Sequence, residues 1–207
     1  MNVPAIAKKT YEELKGVPEY MVIYNFVLEN LLRLTDKFVR AKLIHAVVDE
    51  FNNESFSHPL VQELSPCKLG CTACCHTQVS VTDDEAQLLV KLIEDGVEVN
   101  RERLSKQAAV GNDSAAFFKL KYQDRKCIFL GASGACSVYE DRPSVCRTNV
   151  VLGDASQCDT SKGIKPTRLV KTPKSDLAIY ASFEAAESSG TLPHMVDQFL
   201  ELSENAS

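Results

Sequence analysis

The chain contains the stretch Pro66-Cys67-Lys68-Leu69-Gly70-Cys71-Thr72-Ala73-Cys74-Cys75-His76, in which four of its eight cysteines fall within nine positions. Their spacing is C-x3-C-x2-C-C. Packing does not explain this cluster, because a buried cysteine behaves as a small apolar side chain with no reason to recur so closely. Thiolates are soft ligands for zinc, copper(I) and iron–sulfur clusters, and short spacings let one loop surround a single centre. The stretch therefore predicts a metal-binding loop around which the fold is organised.

A disulfide framework is the rival interpretation of eight cysteines, and it is typical of small secreted proteins. Residues 1–9 show no apolar core region and no small-residue cleavage site of a signal peptide. A chain of 207 residues also buries an ordinary core without covalent cross-links. We therefore expect metal ligation rather than disulfides, in a cytoplasmic protein.

Composition and charge narrow the class of protein further. Hydrophobic residues make up 44% and charged residues 25% of the chain, as in an average globular protein. No apolar run approaches the roughly 20 residues of a membrane helix, so we expect no membrane association. The net charge of −5 makes nucleic-acid binding an unfavoured function. We therefore expect the protein to bind another protein or a small molecule, whose identity the composition does not indicate.

Apolar spacing predicts a mainly α-helical fold with a small β-hairpin, built around the cysteine site. Residues 11–51 carry apolar positions at three- and four-residue intervals, and Thr35 is predicted to cap a second helix within them. Thr82 begins a capping box with Glu85, which starts another helix. We expect an N-terminal helical segment (1–60), a cysteine-cluster metal-binding domain (61–160) and a C-terminal basic loop with helices (161–207).

The other four cysteines lie in a second region, well separated along the chain. Cys127 and Cys136 flank Gly131-Ala132-Ser133-Gly134, which predicts a hairpin with one cysteine on each arm. Pro143 is suited to begin a short helix that holds Cys146, and Cys158 follows in a loop. A shared metal site would join the two regions and stabilise the fold, so we expect their thiols to converge.

The chain resembles the CxxCxxCC, or YkgJ, family in the strings Cys71-x2-Cys74-Cys75, Cys127-x8-Cys136-x2-Tyr139-x2-Arg142-Pro143-x2-Cys146-Arg147 and Cys158. This family is described as zinc- or iron-chelating, with eight characteristic cysteines. The resemblance covers about residues 67–158. It departs at Cys67, which is separated from Cys71 by three residues where the family name implies two. It implies that all eight cysteines are metal ligands: Cys67, Cys71, Cys74, Cys75, Cys127, Cys136, Cys146 and Cys158.

The identity of the metal rests on how the thiols are spaced. A [4Fe–4S] cluster commonly takes three thiolates from one close run and a fourth from elsewhere, and Cys67, Cys71 and Cys74 form such a run. A zinc ribbon would show two separated C-x2-C pairs, and the chain has no second pair. We therefore favour an iron–sulfur cluster, with zinc as the alternative. Eight thiols supply two four-thiolate sites, or one site with thiols to spare.

The same three cysteines also match the cluster loop of radical S-adenosylmethionine enzymes. Those enzymes use a large βα barrel, which takes roughly 250 residues of alternating strand and helix. The pattern of this chain is helical, so we reject that fold.

Several side chains near the cysteines are candidates for a supporting role. Arg142 and Arg147 offset the negative charge of a thiolate site and donate hydrogen bonds to sulfur, with exposure on a short helix as the alternative. Tyr139 is expected to pack as a wall of the site. His76 is a further candidate ligand, although eight cysteines already suffice. His45 lies among apolar positions and is expected to be a core or boundary residue.

Two functional classes stay open. In the first, the protein is a redox or transferase enzyme whose cluster does the chemistry. The resembled family includes flagellin lysine N-methylases, which implies S-adenosylmethionine and protein-lysine methylation as one such activity. In the second, zinc holds the two regions together and the protein binds a partner without catalysis. The basic run from Lys162 to Lys174 is expected to be a solvated loop, with an anion or an acidic partner as its functional interpretation.

Overall fold

The computed structural model describes residues 2–68, 70–161 and 170–206. Within these ranges the chain forms α1 (Ala5–Leu14), α2 (Pro18–Arg33), α3 (Lys37–Phe56), α4 (Pro59–Leu64), β1 (Ser80–Thr82), α5 (Asp83–Glu94), α6 (Arg101–Ala108), α7 (Ser114–Lys119), α8 (Ser144–Arg147), α9 (Pro173–Ala185), β2 (Ser189–Thr191) and α10 (Leu192–Ala206). The prediction of a mainly helical fold with a small β element is confirmed. Most of the basic run, residues 162–169, lies outside the described residues. None of the described helices is long and apolar enough to cross a membrane.

The N-terminal helices begin where the local sequence favours a helix start. Pro18 occupies the first turn of α2, where its missing N–H costs nothing. The carboxylate of Asp36 caps α3 by accepting hydrogen bonds from the backbone N–H of Phe38 at 2.8 Å and of Val39 at 3.1 Å. The prediction that Thr35 is the cap is therefore wrong, because the residue directly before the helix is the one whose side chain reaches those donors.

One apolar core lies between α1, α2, α3 and α9. Its largest buried side chains include Leu31, Ile44, Leu177 and Phe183. The helix α9 thus packs against the three N-terminal helices, from which it is far away in the sequence.

A second apolar core lies between α5, α6 and α10, and the segment that carries Cys127 and Cys136 packs against it. The antiparallel strands β1 and β2 lead directly into α5 and α10, with Val81 opposite Gly190. A side chain at Gly190 would lie 2.9 Å from the sulfur of Met195, so this strand position has no room for a Cβ. The predicted capping box of α5 is present.

The predicted hairpin around residues 131–134 is reduced to a single antiparallel bridge between Leu130 and Cys136. Gly131 N–H donates to the carbonyl of Ala135 at 2.9 Å, and Gly134 adopts a φ of 79°. The turn at residues 131–134 is tight, so the segments that carry Cys127 and Cys136 lie next to each other. The two-stranded sheet of the fold lies elsewhere, between β1 and β2.

Candidate metal centre

A cavity of about 740 Å³ is lined by seven of the eight cysteines, all of which lie within the described residues. These seven are Cys67, Cys71, Cys74, Cys75, Cys127, Cys136 and Cys146. Cys158 is buried beside them and is not part of the lining. All eight are free thiols. The structure therefore brings the two cysteine regions of the sequence to one place.

Cys158 belongs with the first cysteine loop. Burial, followed by the nearby charges of Cys74, Cys67 and Cys71, raises the pKa of its thiol to about 11. These four thiols are thus within electrostatic reach of one another. The short 3₁₀ turns Ala73–His76 and Ala155–Cys158 pack against each other, which holds the remote cysteine beside the loop.

The remaining four cysteines form another group. Burial, followed by the charges of Cys127, Cys74 and Cys136, raises the pKa of Cys146 well above its ordinary value. The thiol of Cys75 is influenced by Cys74, Cys127 and Cys146. A backbone hydrogen bond of 2.7 Å from Cys127 N–H to the carbonyl of Cys75 joins the two chain segments directly. Cys74 takes part in both groups and lies at their junction.

The adjacent thiols of Cys74 and Cys75 differ in acidity. A hydrogen bond from Cys75, together with one from the amide of Asn149 and the charge of Arg142, lowers the pKa of Cys74 to about 6 against the opposing effect of burial. The same hydrogen bond is the largest cause of a raised pKa for Cys75, which keeps its proton. Cys74 is therefore the first of the pair to become a thiolate, the form that binds metal.

Backbone N–H groups are directed at several of the sulfur atoms. Val151 N–H lies 3.5 Å from the sulfur of Cys67. The N–H of Phe129 and that of Val138 stabilise the thiolates of Cys127 and Cys136 and oppose the rise in pKa that burial causes. Hydrogen bonds of this kind orient thiolate ligands and offset their charge.

Arg142 and Arg147 play different structural parts. The guanidinium of Arg142 stacks 3.9 Å above the ring of Tyr139, and its charge lowers the pKa of Cys74 and opposes the rise for Cys136. The guanidinium of Arg147 is buried, pairs with Asp49, and donates through Nε to the carbonyl of Arg142 at 2.9 Å. Arg142 thus faces the thiols, whereas Arg147 fixes the backbone around them. Tyr139 lines the cavity, as the sequence suggests.

Neither His76 nor His45 lines the cavity that the thiols surround. His76 stacks on Tyr122 with 4.2 Å between ring centroids, and its Nδ1 lies 3.2 Å from the carbonyl of Thr72. Burial lowers the pKa of His76, which favours the neutral ring. His45 is buried, and its Nε2 lies 3.2 Å from a carboxylate oxygen of Glu85, so the prediction of a core histidine is confirmed.

Sequence reasoning missed a polar face on α3 that supports the second cysteine region. Its members recur at three- and four-residue intervals along the helix and are Lys42, His45, Asp49 and Asn52. Residues so spaced share one side of a helix, and this periodicity is the signal that could have revealed them. We call this set the α3 polar face.

Three of the four members of the α3 polar face reach the chain around Cys146. Lys42 pairs with Asp141, and Asp49 pairs with Arg147. The side chain of Asn52 donates to the carbonyl of Arg147 at 3.1 Å. The C-terminal end of α8, which carries Cys146, is thereby held by a helix far away in the sequence.

The N-terminal end of α8 is held by Glu85, whose side chain is 1% exposed. Its Oε1 accepts a hydrogen bond of 2.7 Å from Ser144 N–H and contacts His45 from the α3 polar face. Its Oε2 lies 3.3 Å from the N–H of Thr82 and closes the capping box of α5. Burial alone would raise the pKa of Glu85, but the hydrogen bonds and charge of His45 and the N–H of Ser144 hold it below its ordinary value.

The fit of this site to a metal can be judged from its donors. In the part of the chain that the structure describes, no three His, Cys, Asp or Glu side chains already stand in an arrangement that holds an ion. The thiols of seven cysteines line one cavity. The donor chemistry fits zinc or iron, because sulfur ligands, N–H donors and the guanidinium of Arg142 occur together.

Comparison with known families agrees with this chemistry. The family model CxxCxxCC, described as "Putative zinc- or iron-chelating domain", matches residues 66–172, more than half of the chain. The matched region contains all eight cysteines with Tyr139, Arg142 and Arg147, whereas α1, α2 and α3 lie outside it. No curated protein and no solved structure matches the chain.

Proposed function

The chain belongs to the CxxCxxCC family of zinc- or iron-chelating domains, and on this premise we propose that it binds metal at two adjacent four-thiolate centres. The first centre consists of Cys67, Cys71, Cys74 and Cys158. The second centre consists of Cys75, Cys127, Cys136 and Cys146. Each set has the four soft ligands that a zinc ion or an iron–sulfur cluster requires.

The observation that carries this division is the environment of Cys158. Besides burial, the charges of Cys74, Cys67 and Cys71 raise the pKa of its thiol. The first centre therefore combines a close run of three thiols with one remote thiol, which is the usual ligand pattern of a [4Fe–4S] cluster. We propose an iron–sulfur cluster at this centre.

The second centre is supported by mutual charge effects among its members. Burial and then the charges of Cys127, Cys74 and Cys136 raise the pKa of Cys146, and the hydrogen bond with Cys74, burial and the charges of Cys127 and Cys146 raise that of Cys75. Cys74 is the neighbour that this centre shares with the first. The backbone hydrogen bond between Cys127 and Cys75 fixes the distance between its two chain segments. Cys74 of the first centre and Cys75 of the second are neighbours in the sequence, so the two proposed centres lie side by side.

A pair of four-thiolate centres is anionic, and the surroundings offset that charge. Arg142 lies close enough to act on Cys74 of the first centre and Cys136 of the second. Backbone N–H groups reach Cys67, Cys127 and Cys136. Donors of this type stabilise metal-bound thiolate relative to thiol, which lets the site hold metal at neutral pH.

An iron–sulfur cluster at the first centre would supply one-electron chemistry, whereas zinc has no redox chemistry. We propose that the protein is a redox or transferase enzyme, because its thiols line a cavity with room for a second molecule. In this role Arg142 balances charge, and Arg147, Glu85 and the α3 polar face keep the backbone around Cys146 in place. A zinc-binding protein without catalytic activity is the alternative outcome of the test.

The test is the absorption spectrum and metal content of anaerobically purified protein. We expect a broad band at roughly 400 nm from an iron–sulfur cluster, and loss of that band in Cys158→Ser. Ser156→Ala changes a residue of the same 3₁₀ turn and should leave the band unchanged. A colourless protein that contains zinc and no iron would contradict the iron–sulfur assignment while preserving the two centres.

A further inference from the structure

The cavity at the thiols is larger than a metal centre needs. Its volume of about 740 Å³ lies within the roughly 300–1,000 Å³ of small-molecule sites in proteins. Besides the cysteines, it is lined by residues 2–7 at the start of α1 and by apolar side chains that include Phe117, Phe118, Ile179 and Leu192. Space therefore remains beside the thiols, bounded mostly by carbon.

We propose that this cavity binds an uncharged, predominantly apolar small molecule next to the metal centres. Val3, Phe118 and Val145 line the cavity and are only partly buried, so they present apolar surface to a ligand. Burial of apolar ligand surface against such side chains supplies the free energy of binding. The apolar character of the ligand follows from this lining.

The absence of charge on the ligand follows from how the lining charges are balanced. Arg147 is paired with Asp49, and the carboxylate of Asp176, which accepts a hydrogen bond of 3.0 Å from the hydroxyl of Thr10, is 4% exposed and so offers almost no surface to a ligand. Lys68 is exposed to solvent, which screens its charge. The charge of Arg142 is offset by the metal-bound thiolates, and this step rests on the proposed function. No lining charge is then left to recognise a charged ligand group.

The wall formed by residues 2–7 is anchored at its start. Asn2 N–H donates to the hydroxyl of Ser189 at 2.8 Å, and its side-chain amide donates to Oδ1 of Asn112 at 3.3 Å. Val3 follows directly, is half-buried and packs against the first apolar core. A bulkier side chain at Val3 should therefore occupy space that the ligand would use.

The test is calorimetric titration of the purified, metal-containing protein with 1-octanol, 1-hexanol, octanoate and octylammonium. We expect one saturable site for 1-octanol and about fifteenfold weaker binding of 1-hexanol, since each methylene contributes roughly fourfold. Octanoate and octylammonium should bind at least tenfold more weakly than 1-octanol. A charged analogue that binds more tightly than 1-octanol would overturn the proposed ligand class.

Substitutions in the wall formed by residues 2–7 test whether 1-octanol binds in this cavity. Val3→Trp should weaken 1-octanol binding at least tenfold, whereas Val22→Trp, the same change at a side chain that is 68% exposed on α2, should leave it unchanged. Ala5→Trp tests the same wall if Val3→Trp does not fold. Protein that contains metal but shows no saturable octanol site would overturn this inference alone, whereas protein without metal would overturn the proposed function.

Discussion

The first apolar core and the cysteine region are stabilised in different ways. The helices α1, α2, α3 and α9 run for 10, 16, 20 and 13 residues and bury side chains such as Leu31 and Leu177 almost completely. The cysteine region consists of 3₁₀ turns of three or four residues and of α8, with four. Such short elements leave most of their backbone groups without partners inside the element.

The difference shows where the order of the cysteine region comes from. Glu85 and Asn52 satisfy backbone groups at the two ends of α8, and Arg147 binds carbonyl groups of the preceding turn. All three are buried polar side chains, whose hydrogen bonds are worth more inside the protein than in water. The helical core thus depends on apolar burial, whereas the cysteine region depends on hydrogen bonds from its surroundings.

The largest effect on the free energy of unfolding is expected from a substitution in the first apolar core. Leu177→Ala should lower the free energy of unfolding by about 2–5 kcal/mol, because it removes a fully buried side chain and leaves a cavity. Chemical denaturation measures this change. Leu202→Ala, at a position that is 57% exposed, is the control and should have little effect. Metal content per folded molecule should stay at the wild-type level in both variants.

A somewhat smaller effect on the free energy of unfolding is expected when the side chain that holds the start of α8 is removed. Glu85→Ala should cost about 1–3 kcal/mol, because it leaves the N–H of Ser144 buried without an acceptor. Unlike the core change, it should also weaken metal binding in folded protein, since Cys146 lies on α8. Glu85→Gln keeps an acceptor oxygen and should restore part of both properties. Unchanged metal affinity in Glu85→Ala would separate α8 from the metal site.

The carboxylate of Glu85 should make the stability of the protein depend on pH. The pKa of Glu85 is lower in the folded protein than its ordinary value, so its contribution to stability is full above the ordinary glutamate range. That contribution is lost as the pH falls through and below this range. Wild-type protein should therefore lose more stability than Glu85→Gln between neutral pH and acidic pH, as measured by denaturation at each pH. Parallel pH profiles would show that Glu85 is not the group concerned.

The smallest effect concerns the start of α3, the helix shared by both regions. Asp36→Ala should cost about 1 kcal/mol because it removes an N-terminal cap. Thr35→Ala is the matched control and should be close to neutral. A larger loss in Thr35→Ala than in Asp36→Ala would mean that the helix starts one residue earlier in solution.

Local signals in the sequence predicted local structure well. Thr82 and Glu85 form the predicted capping box at the start of α5. This feature depends on residues a few positions apart, which is the range over which capping acts.

The partners that are distant in the sequence were not predicted. The pairing of β1 with residues 189–191 and the contacts of the α3 polar face join segments about 100 residues apart. Nothing local specifies such pairs, since they form only when the two apolar cores bring the segments together. The cysteines were the exception, because thiolates are metal ligands and their spacing alone indicates a metal site.

The central claim is that the eight thiols form two separate centres, and metal analysis of three variants tests it most directly. Cys158→Ser should lose the metal of the first centre, Cys136→Ser that of the second, and the double variant should lose both. The losses in the single variants should add up to the loss in the double variant. Complete loss of metal in either single variant, with the protein still folded by circular dichroism, would contradict two separate centres and indicate one shared site.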